Sequence, residues 1–124
     1  MRAALLEKNQ QSLVVVDDVQ VESPGPREVV VRVSHCGICH SDLTMVDAGG
    51  GGQVPLVLGH EAAGTVEEVG GSVTGLRKGD KVMLTPIPTC GACYYCVRGQ
   101  SSLCVDGQYF MTGLPKDGTS RLSR

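Results

Sequence analysis

Four cysteines, Cys90, Cys93, Cys96 and Cys104, stand as C-x2-C-x2-C-x7-C inside fifteen residues. Nothing else in the chain restricts its local structure so sharply. Zn²⁺ takes a closed tetrahedral shell of thiolates, and a C-x2-C loop offers two sulfurs from a single turn while the amides between them hydrogen-bond those sulfurs. Four sulfurs with no open position define a structural site, which orders a segment poor in hydrophobic side chains because metal-binding free energy becomes folding free energy. A zinc lobe is therefore expected at about residues 86–106. Two other readings stand beside it. C-x2-C-x2-C also opens the bacterial ferredoxin pattern, but there the fourth cysteine follows after three residues and precedes Pro; here it follows after seven and precedes Val105. The other reading is plainly buried or disulfide-bonded cysteines.

The rest of the chain sets the context for that lobe. It has 124 residues, which suits one domain. Hydrophobic residues make up 41% and charged residues 19%, while four aromatics and no Trp leave Val, Leu and Ala to build an aliphatic core. Seventeen glycines favour turns and β structure over long helices. The formal charge of -2, with no basic block, argues against nucleic acid as a partner. The opening MRAALLEKNQ has no apolar signal region and no run is long enough to span a bilayer, so the expectation is a soluble, cytoplasmic chain. Six cysteines without a secretion signal read as metal ligands or redox groups before disulfides.

Strand patterns fill the first half: Leu13 to Val16, then Val19 and Val21, then Val29, Val31 and Val33 alternating across Arg32, with Pro24-Gly25-Pro26 as a turn. Ser41 is an expected N-cap for a short helix to Ala48, ended by the glycines 49–52. Val54 to Leu58, carrying Pro55, reads as an edge or irregular segment. Ala62 to Val69 and Lys81 to Thr85 read as strands joined through Gly70, Gly71 and Lys78-Gly79-Asp80. Periodicity is lost from Pro86, and Gly113 to Arg124 reads as a polar tail.

A second cluster of reactive side chains lies upstream of the lobe. His35-Cys36-Gly37-Ile38-Cys39-His40-Ser41-Asp42 gathers thiols, imidazoles, a hydroxyl and a carboxylate where a strand is expected to end. Gly59-His60-Glu61 adds another imidazole and carboxylate, and Gly64 excludes H-E-x-x-H. Taken singly, His60 reads as a hydrogen-bonded histidine and Cys36 as a small hydrophobe. Only the joint pattern points to a site.

That joint pattern resembles the medium-chain, zinc-dependent alcohol dehydrogenases. The run G-H-E-x2-G-x5-G-x2-V, at Gly59, His60, Glu61, Gly64, Gly70 and Val73, is similar to their zinc signature. C-H-S-D at Cys39 to Asp42 and the four-cysteine lobe follow the same family order. The resemblance runs from Met1 to about Cys104. It implies a mainly β, GroES-like, partly open β-barrel with a short helix, serving as a catalytic domain over residues 1–124. NAD or NADP would be held by a later Rossmann domain, which this sequence lacks.

The resemblance further implies Cys39 and His60 as ligands of a catalytic zinc, with Glu61 just behind it. It implies Asp42 as the carboxylate orienting His60, Ser41 as the hydroxyl that takes the alcohol proton, and His40 as the residue facing the cofactor pyrophosphate. Thr44 stands where some members carry a relay histidine, and Cys36 is a decoy at C-x2-C spacing from Cys39. The family's third protein ligand falls past residue 124, and no G-x-G-x-x-G follows a strand. The implied activity is hydride transfer between a small alcohol or aldehyde and NAD(P), absent from this chain alone, in a homo-oligomer. The alternative function is a stand-alone zinc-binding module mediating protein association.

Overall fold

The computed structural model describes residues 1–48, 54–112 and 118–124. β-Branched runs make most of the strands, which fall into three small antiparallel sheets. In the first, β1 (Ala3–Leu6) lies between β2 (Val14–Val16) and a later strand, β5 (Leu56–Val57). Leu5 faces Val14 on one side and Val57 on the other. Among the described residues β5 pairs only with β1, as an edge segment beside Pro55 should.

β3 (Gln20–Val21) and β8 (Leu122–Ser123) form the second sheet, with Val21 opposite Leu122. The largest sheet has the order β4-β6-β7, from β4 (Val29–Gly37), β6 (Glu61–Val69) and β7 (Lys81–Met83). Helix α1 (His40–Ala48) follows β4 after a two-residue turn. Among the described residues the strands do not close into a barrel, and the mainly β fold with one helix and a cysteine lobe is the one expected.

An aliphatic core joins the first two sheets. Leu5, Val16 and Val19 are buried together, with Ala3, Val57 and Leu122 packed against them. Leu6 and Val66 are the largest side chains lost completely from solvent. Two glycines of the G-H-E run serve the packing of β6. A Cβ on Gly64 would meet the Arg32 carbonyl oxygen at 2.3 Å, and one on Gly70 would meet that of Gly25 at 2.0 Å. Only a residue without a side chain allows the backbones so close.

Several sequence expectations shift in place. β4 does not end at Val33; it continues through His35, Cys36 and Gly37, paired residue for residue with Ala63, Ala62 and Glu61. The pairing shifts register between Val30 and Val31 and between Val33 and His35. α1 begins at His40, so Cys39, not Ser41, takes the cap position. The glycines expected to stop α1 lie outside the described residues. The polar tail holds a strand, β8, and the N-terminus holds another, β1, which the charge after Leu6 obscured. β8 is fixed by charge: Arg121 meets both carboxylate oxygens of Glu28, at 2.9 and 3.0 Å. Arg124 lies 2.7 Å from Glu7 and 2.9 Å from Asp18.

Candidate metal centres

The lobe between β7 and β8 is built from turns. Short 3-10 turns span Cys96–Arg98, Ser101–Leu103 and Val105–Thr112, and the first ends on Gly99 in the left-handed region, at φ 75°. These turns bring the sulfurs of Cys90, Cys93, Cys96 and Cys104 within 4.8 Å of one another. Cys104 is buried, the other three are half-buried, and all four are free thiols. The Cys90 amide donates to the Cys104 sulfur and the Cys93 amide to the Cys90 sulfur, each at 3.3 Å. The Cys90 and Cys96 sulfurs are 4.0 Å apart. Two sulfurs bonded tetrahedrally to one Zn²⁺ sit about 3.8 Å apart. The spacing therefore fits the metal.

Electrostatics in the lobe reflect the difficulty of gathering four thiolates. Backbone amides of Cys96 and Val105 bring Cys93 down to about 6. Loss of solvent, and then hydrogen bonding with the Cys93, Cys104 and Cys90 thiols, push Cys96 up to about 12. The Cys90 amide first, then that of Asp106, lower Cys104. The set thus keeps thiolate and thiol side by side, and a divalent cation is what allows all four to ionise. Against this lobe, Tyr94 and Tyr95 meet edge to face at 5.3 Å, and the Arg98 guanidinium lies 3.7 Å from the centre of the Tyr94 ring.

The second set forms where β4 runs into α1 and where β6 begins. Donor atoms of Cys39, His60 and Glu61 lie within 4.8 Å of one another. Asp42 is buried and uses both oxygens: Oδ2 accepts the Cys39 amide at 3.0 Å and Oδ1 lies 3.2 Å from His60 Nδ1. The first contact is the returning half of a capping box, with Asp42 as the third helical residue. The second points Nε2 of His60 toward Cys39 and Ser41, whose Oγ is 3.3 Å away. Thr44 Oγ1 donates to the His40 carbonyl oxygen at 3.2 Å, so its hydroxyl is turned back onto its own helix.

Charge is shared across this set. The Ser41 hydroxyl and amide, then His60, hold the Cys39 thiol below its ordinary range. Hydrogen bonding to Cys39, helped by the Asp42 carboxylate and opposed by desolvation, raises His60. Each group thus favours the charged form of the other, and a metal cation would take the place of the proton between them.

The sequence-derived residues Cys39, Ser41, Asp42, His60 and Glu61 therefore come together, while Cys36 does not join the donor set. His40 is exposed at the start of α1. The Glu61 carboxylate, implied to lie just behind the metal, stands close enough to be counted among the possible donors. Cross-strand register sets it there, opposite Gly37.

A mainly β domain that carries a four-thiolate lobe and a separate Cys/His/carboxylate set has the donor groups of a zinc-binding domain. Comparison with known proteins makes the assignment: the alcohol dehydrogenase GroES-like domain family matches residues 25–121, and the chain belongs to it, among the medium-chain, zinc-type alcohol dehydrogenases. It is 41% identical to a putative alcohol dehydrogenase D of Mycobacterium tuberculosis, over 84% of this chain and 28% of that one. It is 40% identical to an S-(hydroxymethyl)glutathione dehydrogenase of Escherichia coli, over 98% of this chain and 33% of that one. The crystal structure of an alcohol dehydrogenase zinc-binding domain protein from Burkholderia ambifaria superposes with a TM-score of 0.88 at 35% identity, covering 98% of this chain and 32% of that one. The chain spans about a third or less of these relatives.

Proposed function

We propose that this chain is the zinc-carrying catalytic domain of an NAD(P)-dependent alcohol dehydrogenase, and that residues 1–124 by themselves do not turn over. The observation that carries the reading is the Asp42 carboxylate, which fixes the cap of α1 through Cys39 and the ring of His60 at once. A cap alone would serve any module; that the same carboxylate turns Nε2 of His60 toward Cys39 and Ser41 supports a metal site.

In this reading Cys90, Cys93, Cys96 and Cys104 hold a structural zinc. Cys39 and His60 hold a catalytic zinc, with Glu61 within reach as a further donor. Bound zinc supplies Lewis acidity that makes an alcohol hydroxyl more acidic. Asp42, 3.2 Å from Nδ1, sets the tautomer of His60 and turns Nε2 toward Cys39 and Ser41, where a metal would take it. Ser41, 3.3 Å from that nitrogen and exposed on its other side, is the hydroxyl that takes the alcohol proton. His40, exposed at the start of α1, is placed for a diphosphate group of NAD or NADP. No G-x-G-x-x-G follows a strand in the sequence, and hydride transfer needs a nicotinamide held against the carbinol carbon. The substrate class is a small alcohol or aldehyde.

The alternative, a zinc-binding module for protein association, predicts that Cys39 and His60 are dispensable. Grafting residues 1–124 in place of the matching third of the Escherichia coli relative separates the two readings. The graft should oxidise alcohols with NAD(P), and Cys39→Ala or His60→Ala should reduce turnover to background. Turnover that survives both substitutions contradicts the catalytic reading. Among the described residues no helix is long and apolar enough to cross a membrane.

A further inference from the structure

We infer that Gly37 is a positioning residue for Glu61, keeping open the volume through which that carboxylate reaches the Cys39/His60 pair. The inference rests on the reading of Cys39 and His60 as metal ligands. Gly37 is the last residue of β4 and pairs directly with Glu61, the first residue of β6. Opposed residues of an antiparallel pair project to the same face. A Cβ at Gly37 would lie 2.3 Å from Glu61 Oε2, 3.2 Å from its Cβ and 3.4 Å from its Cδ. The Glu61 side chain is therefore folded back over the bare backbone of Gly37.

Backbone conformation gives no other reason for glycine here. Gly59, Gly75, Gly79, Gly91, Gly99 and Gly118 adopt positive φ, and Gly37 does not. An alanine could take up its dihedral angles. The tight neighbours also differ in kind from those of Gly64 and Gly70, which meet backbone carbonyls and hold the strands together. At Gly37 the nearest atom is the tip of a flexible side chain, and that tip is one of the three possible metal donors. A methyl group at 37 is relieved most easily by rotation of Glu61, with the β4–β6 pairing intact. Rotation takes the carboxylate out of the set.

Cobalt(II) reports this directly, because its d–d bands follow the number and type of ligands. The four-cysteine lobe is first filled with zinc, and Co²⁺ is then titrated into the second set in wild type, Gly37→Ala, Glu61→Gln and the double variant. Gly37→Ala should shift the d–d bands in the same way as Glu61→Gln and weaken Co²⁺ binding about 10-fold or more. The double variant should match Glu61→Gln alone. A wild-type spectrum for Gly37→Ala, or an equal further change when Glu61 is already Gln, overturns the inference. If Gly37→Ala does not fold, Gly37→Ala/Glu61→Ala decides. Recovery of the fold in that double variant supports a clash with Glu61, and its failure overturns the inference. Cys39→Ala serves as the control for the underlying reading: a cobalt signal that persists without Cys39 removes the ligand assignment itself, whereas loss of that signal with an unaltered Gly37→Ala spectrum removes only the role of Gly37.

Discussion

The buried carboxylate of Asp42 lies 3.2 Å from Nδ1 of His60 and, through its other oxygen, accepts the backbone amide of Cys39 at 3.0 Å. One side chain on α1 thereby orients two groups that arrive from different strands. Groups behind a metal ligand commonly govern affinity by 10- to 100-fold. Asp42→Ala is therefore expected to weaken zinc at Cys39/His60 by about 10- to 100-fold while the four-cysteine lobe keeps its metal. Competition with a chromophoric chelator measures both affinities in one titration.

Zinc in the lobe should answer to pH with a change of slope. Only deprotonated sulfur binds, so affinity falls as protons compete. Near neutral pH Cys93, at about 6, is already thiolate, whereas Cys96, at about 12, must give up its proton. Below about 6 Cys93 takes up a proton as well, and the logarithm of the zinc affinity should drop more steeply with each pH unit. The metal-free fold follows the same sign. A thiol depressed from 9.0 to about 6 contributes stability above 9.0, and this is lost as pH falls through about 6. Zinc affinity measured from pH 5 to 8 tests the slope.

Cys93→Ser should release the lobe zinc and lower the melting temperature, an effect well beyond the roughly 0.5 kcal/mol of an ordinary surface substitution. Elemental analysis and a melt of wild type and variant check it. Iron with a visible charge-transfer band, or a pair of disulfides, contradicts the zinc assignment.

Much of this was legible in the chain itself. The lobe could be read because C-x2-C spacing determines which sulfurs one turn can offer, and tertiary contacts hardly enter. Strand cores such as Val29 to Val33 and Ala62 to Val69 showed through their β-branched alternation. What was not legible depended on pairing across distance. β1 looked like a charged terminus, yet it buries Leu5 and Leu6 because β2 and β5 flank it. β8 looked like tail because its strand character comes from β3 and from arginines that meet Glu28, Glu7 and Asp18. The resemblance already implied Glu61 beside Cys39 and His60; the pairing that sets it against Gly37 was not legible.

Arg121→Ala removes the paired contact to Glu28, which is about a third exposed at each end. Partly exposed ion pairs contribute little, so the expected loss is about 1 kcal/mol or less. Amide hydrogen exchange should locate that loss in β3 and β8, and a urea midpoint gives its size.

Association is expected of residues 1–124. Met83 on β7 is 87% exposed and Ile38 beside α1 is 88% exposed, with Val33 and Leu84 also open. If these side chains form one patch, a second copy of the chain is its expected cover. Sedimentation should show self-association that grows with concentration and is reduced by Met83→Lys. A concentration-independent monomer contradicts it.

The central claim is that this domain carries two distinct metal sites, a closed one in the cysteine lobe and a weaker one at Cys39 and His60. Cobalt(II) titration of the metal-free chain, followed by absorbance, tests it most directly. The account predicts two phases: a tight first phase with the intense sulfur-to-metal charge transfer of four thiolates, lost in Cys93→Ser, and a weaker second phase with one thiolate's intensity, lost in Cys39→Ala and in His60→Ala. A single phase, unchanged by substitution of Cys39 and His60, would contradict it.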